Sequence, residues 1–257
     1  MTPGSRCDML KPMVRRKPTR ILLGALASLF LLAGCSGEQT ITLQENGSGT
    51  AQVAIEVDPV FAAYLSDLNA SMGGDGGAPV FDGVAVRRSL EAQPGLRVVE
   101  LSVPTQRRLE LELAFESVDD LLAVQGQRIG DFLRFERTAS YRRLAARIDR
   151  RAIDHFATIA GVDPLIRDSL LPPDLSLSPA EYRDYLAWAF EEYAEDRPLD
   201  VVFRNSRVET TVIVDGPVVQ LRGGEAGAGG GRFVTNLVEA VTTDRPLEYS
   251  LVYSPSP

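Results

Sequence analysis

The sequence feature that most limits the fold is an uncharged apolar segment, residues 21–32, close to the N-terminus. A helix that crosses a membrane needs about 20 apolar residues, and this segment is shorter. Basic residues precede it, at Lys11, Arg15, Arg16, Lys17 and Arg20. A basic stretch followed by a short apolar stretch is typical of a secretory signal peptide. We therefore expect residues 1–34 to be cleaved and the folded part of the chain to follow them.

The segment ends in Leu32-Ala33-Gly34-Cys35. Small residues directly before a cysteine resemble the lipobox of bacterial lipoproteins. The resemblance implies cleavage before Cys35 and a diacylglyceryl group on its thiol, with palmitate or a similar acyl chain. An ordinary signal peptide that contains a cysteine, or a short membrane anchor, would be the alternatives. Since two or more lipid chains hold a protein stably on a bilayer, the predicted partner of Cys35 is a membrane.

This interpretation predicts a lipid-anchored protein of the cell envelope, with residues 35–40 as a lipidated tether. The residue directly after the cysteine is Ser36 and not an Asp. In Gram-negative bacteria of the enteric type this resembles the address of an outer-membrane lipoprotein that faces the periplasm or the cell surface. The choice between inner and outer membrane stays open.

Loss of residues 1–34 changes the composition in two ways. It removes Cys7, so neither an intramolecular disulfide nor a free cysteine for metal binding or catalysis remains beside the lipidated Cys35. It also leaves 21 arginines and no lysine against 34 acidic residues, a net charge of −13. A chain this acidic is a poor general nucleic-acid binder, so we expect no nucleic-acid partner, and we expect no cofactor.

The first half of the mature chain has the pattern of strands with two helices between them. Alternating residues at 40–43 and 51–57 flank Asn46-Gly47, a pair that favours a hairpin turn. Asp58-Pro59 is typical of a helix start, and a second amphipathic segment covers residues 80–92. Strands are predicted at 96–103 and 107–115, where apolar and polar residues alternate as in a half-buried antiparallel strand. A short helix at 118–124 and a strand at 131–137 follow.

The second half is predicted to begin with helices and to end with strands. Residues 141–160 fit either a strand and then a helix or one long helix, and we favour a strand to Ile148 and a helix from Arg150. Ser178 and Glu181 have the spacing of a capping box for a helix that runs to about Tyr193. Strands are predicted at 199–204, 208–214, 218–221, 232–241 and 247–253, with a glycine-rich loop at 223–231.

Segregated runs of strands and helices favour an α+β fold. We predict one α+β domain over residues 41–257, in which N-terminal and C-terminal strands share a mostly antiparallel sheet with packed helices. Residues 150–195 would form a helical insertion or subdomain.

Residues 128–151 contain eight arginines against three acidic residues. Five of these arginines form a candidate patch for an anionic ligand: Arg134, Arg137, Arg142, Arg143 and Arg147. Arginine binds phosphate and carboxylate groups through paired hydrogen bonds, which would suit lipid headgroups or an anionic envelope polymer. The alternative is the solvated face of a strand pair, paired with the acidic residues of the chain itself.

Trp188 is the only tryptophan. At 100° per residue it lies off the face of its helix that carries Tyr182, Tyr185 and Leu186. An indole in this position either packs against another element of the chain or docks a partner.

No catalytic or metal-binding residue is predicted. His155 is the only histidine, and a zinc site would need three carboxylates beside it, which is unusual. The glycine-rich segment 223–231 lacks the Gly-Lys-Ser/Thr ending of a phosphate-binding loop.

The layout resembles the LppM-type domain of bacterial lipoproteins. The resemblance rests on Asn46-Gly47-Ser48-Gly49-Thr50 in the hairpin, the helix that follows, and the pattern from Val214-Asp215-Gly216-Pro217 to residues 247–253. It implies an association with envelope lipids or glycolipids and carries over no catalytic residues.

Three functions therefore stand at this point. The first is a non-enzymatic envelope lipoprotein that binds a lipid, a glycan or a protein, for which an apolar groove between sheet and helices is expected. The second is a structural or assembly component that docks another envelope protein through an exposed surface such as Trp188. The third, and least favoured, is an envelope hydrolase.

Overall fold

The described part of the chain opens with a β-hairpin whose first residue is Cys35. The computed structural model describes residues 35–71, 73, 79–124, 127–128, 132–153, 171–172, 177–243 and 245–255. Strand β1, Cys35–Leu43, pairs antiparallel with β2, Gly49–Val57, and Gly47 in the turn has a φ of +86°, which glycine adopts readily. Residues 35–40, predicted as a tether, are instead the start of β1, because β2 pairs with all of them and β9 pairs with them from Gly37 onward.

The other elements confirm the predicted α+β fold. The strands are β3 Leu96–Thr105, β4 Arg108–Phe115, β5 Ala123–Val124, β6 Gln127–Arg128, β7 Leu133–Arg137, β8 Arg142–Ile148, β9 Arg207–Val214, β10 Val218–Arg222, β11 Glu225–Gly227, β12 Gly230–Asn236 and β13 Leu247–Tyr253. The helices are α1 Pro59–Ser71, α2 Gly83–Glu91, α3 Val118–Leu122, α4 Pro179–Phe190, α5 Leu199–Asn205 and α6 Leu237–Thr242. None of the helices in the described ranges is both long and apolar enough to cross a membrane.

The large sheet joins the two ends of the chain, as predicted. Its strand order is β11-β12-β9-β1-β2-β4-β3, and β1 and β9 pair in parallel while the other neighbours pair antiparallel. Alternation along β4 buries Leu109, Leu111, Leu113 and Phe115, which is the predicted pattern. The inner face of this sheet is therefore core, and its outer face carries polar side chains.

A small sheet covers part of the inner face of the large sheet. Its order is β10-β13-β8-β7. The ring of Tyr249 in β13 lies 5.7 Å from that of Phe233 in β12, and the Tyr249 hydroxyl lies 3.1 Å from the Thr235 hydroxyl. Gly231 in β12 leaves room for Leu221 of β10, because a Cβ at position 231 would lie 2.6 Å from a methyl carbon of Leu221. The two sheets thus form a sandwich with their outer faces directed away from each other.

Helices close the end of the sandwich at which β1 begins. Helix α1 follows directly from β2, and Phe61 in it packs its ring 4.5 Å from Phe190 in α4 and 6.5 Å from Phe203 in α5. All three rings are buried. The predicted capping box of α4 is present, with Ser178 and Glu181 each bonded to the other's backbone N–H. Helix α4, from the predicted helical insertion, therefore lies in the main core.

Three local predictions at the C-terminal side were wrong. Residues 199–205 form α5 and not a strand, because a helix places Leu199, Val202 and Phe203 together against the core. The predicted strand 232–241 ends at Asn236, whose side chain caps α6. The predicted glycine-rich loop contains the β11–β12 hairpin, where small residues allow close strand pairing.

The ambiguous segment after residue 141 is a strand followed by a helix. Strand β8 ends at Ile148. Helical residues begin at Arg150 and continue to position 153, the last described residue before the gap at 154–170. The Asp149 carboxylate accepts a hydrogen bond from the backbone N–H of Ala152 at 2.9 Å, which stabilises this helix start. Residues 154–170 lie outside the described part.

Two edge strands each contain a bulge. In β3 the register shifts at Val99 and again between Ser102 and Thr105, and in β10 it shifts at Val219. Both valines are exposed, at 45% and 67%. Because β3 is an edge of the large sheet and β10 an edge of the small sheet, both bulges interrupt an open backbone edge.

Candidate functional site: Cys35 and two charged sheet faces

Cys35 occupies the end of the β1–β2 ladder, opposite Val57. Its side chain is 2% exposed and belongs to the core. Burial raises the pKa of the thiol well above its usual value, and the nearby Asp58 raises this pKa further. Residues 32–34, which complete the lipobox-like motif, lie outside the described part.

A lipid on this sulfur cannot share the core position. The first pair of the ladder has to open so that the sulfur of Cys35 can reach solvent or a bilayer. End pairs of a strand ladder open at low free-energy cost, and the pairs from Ser36 to Leu43 can persist. Lipidation at Cys35 is therefore compatible with the rest of β1, and the anchor would lie within a residue or two of the sheet.

The candidate arginines lie on both faces of the small sheet. Side chains alternate along a strand, so Arg143 and Arg147 lie on the outer face with Arg134, which is in register with Ala145 between them. Arg137 and Arg142 are paired with each other on the inner face. The five residues thus do not form one patch. The predicted patch is therefore wrong in this form. Within β7, Arg134 and Arg137 are an odd number of residues apart and point to opposite faces, and within β8 the same holds for Arg142 and Arg143.

Arg137 and Arg142 lie at the end of the sandwich that contains the β1–β2 turn, opposite the end that the helices close. The Arg142 guanidinium donates to the carbonyl of Thr138, and the Arg137 guanidinium lies 5.0 Å from the centre of the Phe135 ring. A Cβ on Gly47 would overlap the guanidinium of Arg137, so this arginine lies against the β1–β2 turn. Their contacts give these two arginines a packing role.

Four arginines lie on the outer face of the small sheet, and we call them the arginine face: Arg134, Arg143, Arg147 and Arg222. Arg222 lies on this face because it is in register with Ser250, and Ser250 with Ala145. Arg222 forms a 3.0 Å ion pair with Glu248. Arg143 and Arg147 make only loose pairs of 3.8 Å, with Glu136 and Asp149.

The outer face of the large sheet carries the opposite charge. Glu38, Glu100, Glu110 and Glu112 surround a trough of about 330 Å³, whose floor includes Ala54; we call it the acidic trough. Arg108 pairs with Glu110 at 2.7 Å. Sequence reasoning missed this site. The alternation in β4 already places Glu110 and Glu112 on one face, but Glu38 and Glu100 join them only through strand pairing.

Trp188 lies on the surface of α4 with 74% of its area exposed. This confirms the prediction that it lies off the buried face of its helix, and in the described part of the chain Trp188 is not in the core. Its one described ring contact is with Tyr185, at 6.3 Å between centres. Docking through Trp188 stays a prediction.

No arrangement for catalysis is evident in the described ranges. Among these residues, no group of three or more His, Cys, Asp or Glu side chains could hold a metal ion. His155 lies outside the described part.

Comparisons with known proteins do not assign this chain to a family. No protein family matches it, and no curated protein matches it. Among solved structures, it is similar to the NMR structure of the folded domain of LppM from Mycobacterium tuberculosis, with 11% sequence identity and a TM-score of 0.43 over 87% of this chain and 91% of that chain.

Proposed function

We propose that this chain is a non-enzymatic lipoprotein of a bacterial cell envelope, anchored through Cys35, and that it serves as a docking component for envelope protein. The observation that carries the proposal is that Cys35, the cysteine of the lipobox-like motif, is in β1 and lies opposite Val57 at the end of the β1–β2 ladder. A lipid at this position would hold the end of the sandwich directly at a bilayer. The strands would run from that end, and the outer faces of both sheets would be open to neighbours.

Packing favours a docking component over a carrier of an apolar ligand. A carrier would need an apolar groove between sheet and helices. In the described part, Phe61, Phe190 and Phe203 fill that space, each 2% exposed or less. The open trough is on the outer face and is lined mainly by polar side chains, and the most exposed large apolar side chain, Trp188, is on a helix surface.

The anchor is tested by metabolic labelling of the full chain with radiolabelled palmitate in a bacterium that processes lipoproteins. We expect label on the wild type and none on Cys35→Ala. Cys7→Ala is the matched control, because it removes the other cysteine of the chain and should retain the label. Label on Cys35→Ala would contradict the proposed anchor.

A further inference from the structure

The two sheets present outer faces of opposite charge on opposite sides of the molecule. Their inner faces are in contact through Phe233 and Tyr249, so the arginine face and the acidic trough are directed away from each other. Glu110 and Glu112 are on the regular β2–β4 pair, and the arginines of β7 and β8 are on another regular pair, which holds these side chains in fixed rows. Glu100 and Arg222 extend the two faces onto the bulged strands β3 and β10. A rigid body with one basic and one acidic side can pair with copies of itself.

The acidic trough has charge that its own surroundings do not neutralise. In the described part of the chain, no arginine lies within ion-pair distance of Glu38, Glu100 or Glu112. Glu100 and Glu112 lie directly opposite each other across β3 and β4, and like charges in this position destabilise a sheet. A cationic surface placed over the trough would relieve this repulsion.

The arginine face has the matching properties. The contacts of Arg143 and Arg147 with their own carboxylates are 3.8 Å long, and their side chains are 46% and 56% exposed. Arginine also binds carboxylates through two parallel hydrogen bonds. The guanidinium groups of this face can therefore bind carboxylates of a neighbour while giving up only weak ion pairs of their own.

We propose that copies of this chain associate side by side, with the arginine face of one copy on the acidic trough of the next. The partner of the docking component is thus a second copy of itself. The contact is heterologous, since it joins two different surfaces, and it can extend into rows. Each joint brings guanidinium groups to Glu38, Glu100 and Glu112.

The anchor makes this arrangement suitable for a membrane, and this part of the inference rests on the proposed function. Cys35 is at the end of the sandwich, and the two charged faces are at its sides. Copies related by a sideways shift would therefore all direct Cys35 to the same bilayer. Anchoring also raises the effective concentration of neighbours, which offsets the repulsion between chains of net charge −13.

Charge exchange tests the association with the full chain in a neutral detergent, by sedimentation velocity. One variant, Arg143→Glu with Arg147→Glu, makes the arginine face acidic. The other, Glu38→Lys with Glu112→Lys, makes the trough basic. We expect wild type to self-associate, each variant alone to be at least ten-fold weaker, and an equal mixture of the two to associate again, because each supplies the face that the other has lost.

A control variant carries the same charge change elsewhere. Arg88→Glu with Arg204→Glu changes exposed residues of α2 and α5 and should associate like the wild type. Association should weaken as salt is raised, because exposed ion pairs are screened.

A wild type that stays monomeric at every salt concentration would overturn the proposal, and so would a mixture that fails to associate. Binding of the wild type to anionic vesicles or envelope polymer that depends on Arg143 and Arg147, without self-association, would also overturn it in favour of an anionic ligand. Palmitate labelling is independent of these outcomes, so failure of the anchor and failure of the association are distinguishable.

Discussion

Gly227 and Gly230 lie directly opposite each other where β11 pairs with β12, yet only one of them has room for a side chain. A Cβ on Gly230 would overlap the carbonyl oxygen of Val212 in β9, whereas a Cβ on Gly227 would have no heavy atom within 4 Å. The difference arises because β12 has a neighbour on both sides and β11 is an edge strand. The close pairing of β12 with β9 therefore requires glycine at position 230.

The glycine pair provides a matched test of the sheet. Gly230→Ala should lower the free energy of unfolding by about 1–3 kcal/mol or more, because the backbone carbonyl of Val212 has to move away from the new Cβ. Gly227→Ala should change it by less than about 1 kcal/mol, or stabilise slightly by restricting the unfolded chain. Urea denaturation followed by circular dichroism measures both, and equal effects would contradict the β12–β9 pairing.

Two aromatic residues of α4 should respond very differently to truncation. Phe190→Ala should lower the free energy of unfolding by about 3–5 kcal/mol, since it removes a buried ring from the contact with Phe61. Trp188→Ala removes a larger ring at the surface and should change it by about 0.5 kcal/mol or less. A large effect at Trp188 would mean that the indole is part of the core.

Fluorescence reports directly on the environment of Trp188, because the chain has one tryptophan. With 74% of the residue exposed, its emission should be that of indole in water, and iodide should quench it. Unfolding should change the emission maximum little. A blue-shifted emission that iodide cannot quench would show that another surface covers Trp188.

The thiol of Cys35 should make stability depend on pH in a defined interval. Burial raises its pKa, so the folded chain binds the proton more tightly than the unfolded chain does. The contribution is fully present below the thiol's ordinary pKa and is lost as pH rises above it.

This dependence is measurable between about pH 8 and pH 9.5. Tyrosines begin to ionise in the upper part of this interval, but their contribution is the same in both chains that are compared. In urea denaturation, the unacylated wild type should lose more stability over this interval than unacylated Cys35→Ala. Parallel curves would mean that the thiol is already outside the core. The unacylated chain is required because acylation removes the ionisable thiol.

Local patterns in the sequence predicted much of the fold. The alternation in β4, the Asn46-Gly47 turn and the Ser178 capping box each act over a few residues, so the sequence contains the full signal. Residues 199–205 were harder, because Val201 and Val202 favour a strand while burial of Leu199, Val202 and Phe203 requires a helix. The tertiary contacts of α5 decide between the two.

Pairings between distant strands could not be predicted in the same way. The parallel register of β1 with β9 joins Gln39 to Thr210, 171 positions apart. Nothing in either strand specifies that partner. The acidic trough and the arginine face depend on such pairings, which is why the sequence predicted an arginine cluster but neither its division between two faces nor the opposing carboxylates.

If Cys35 anchors the chain as proposed, the bulges at Val99 and Val219 have a consequence, because the anchored protein is concentrated on a two-dimensional surface. Crowded chains with open sheet edges are exposed to strand-by-strand templating, which leads to irreversible aggregates. An extra residue in β3 and in β10 breaks the row of backbone donors and acceptors on which such growth depends. Contact between neighbours is thereby left to side chains, so it can be reversible and sensitive to charge.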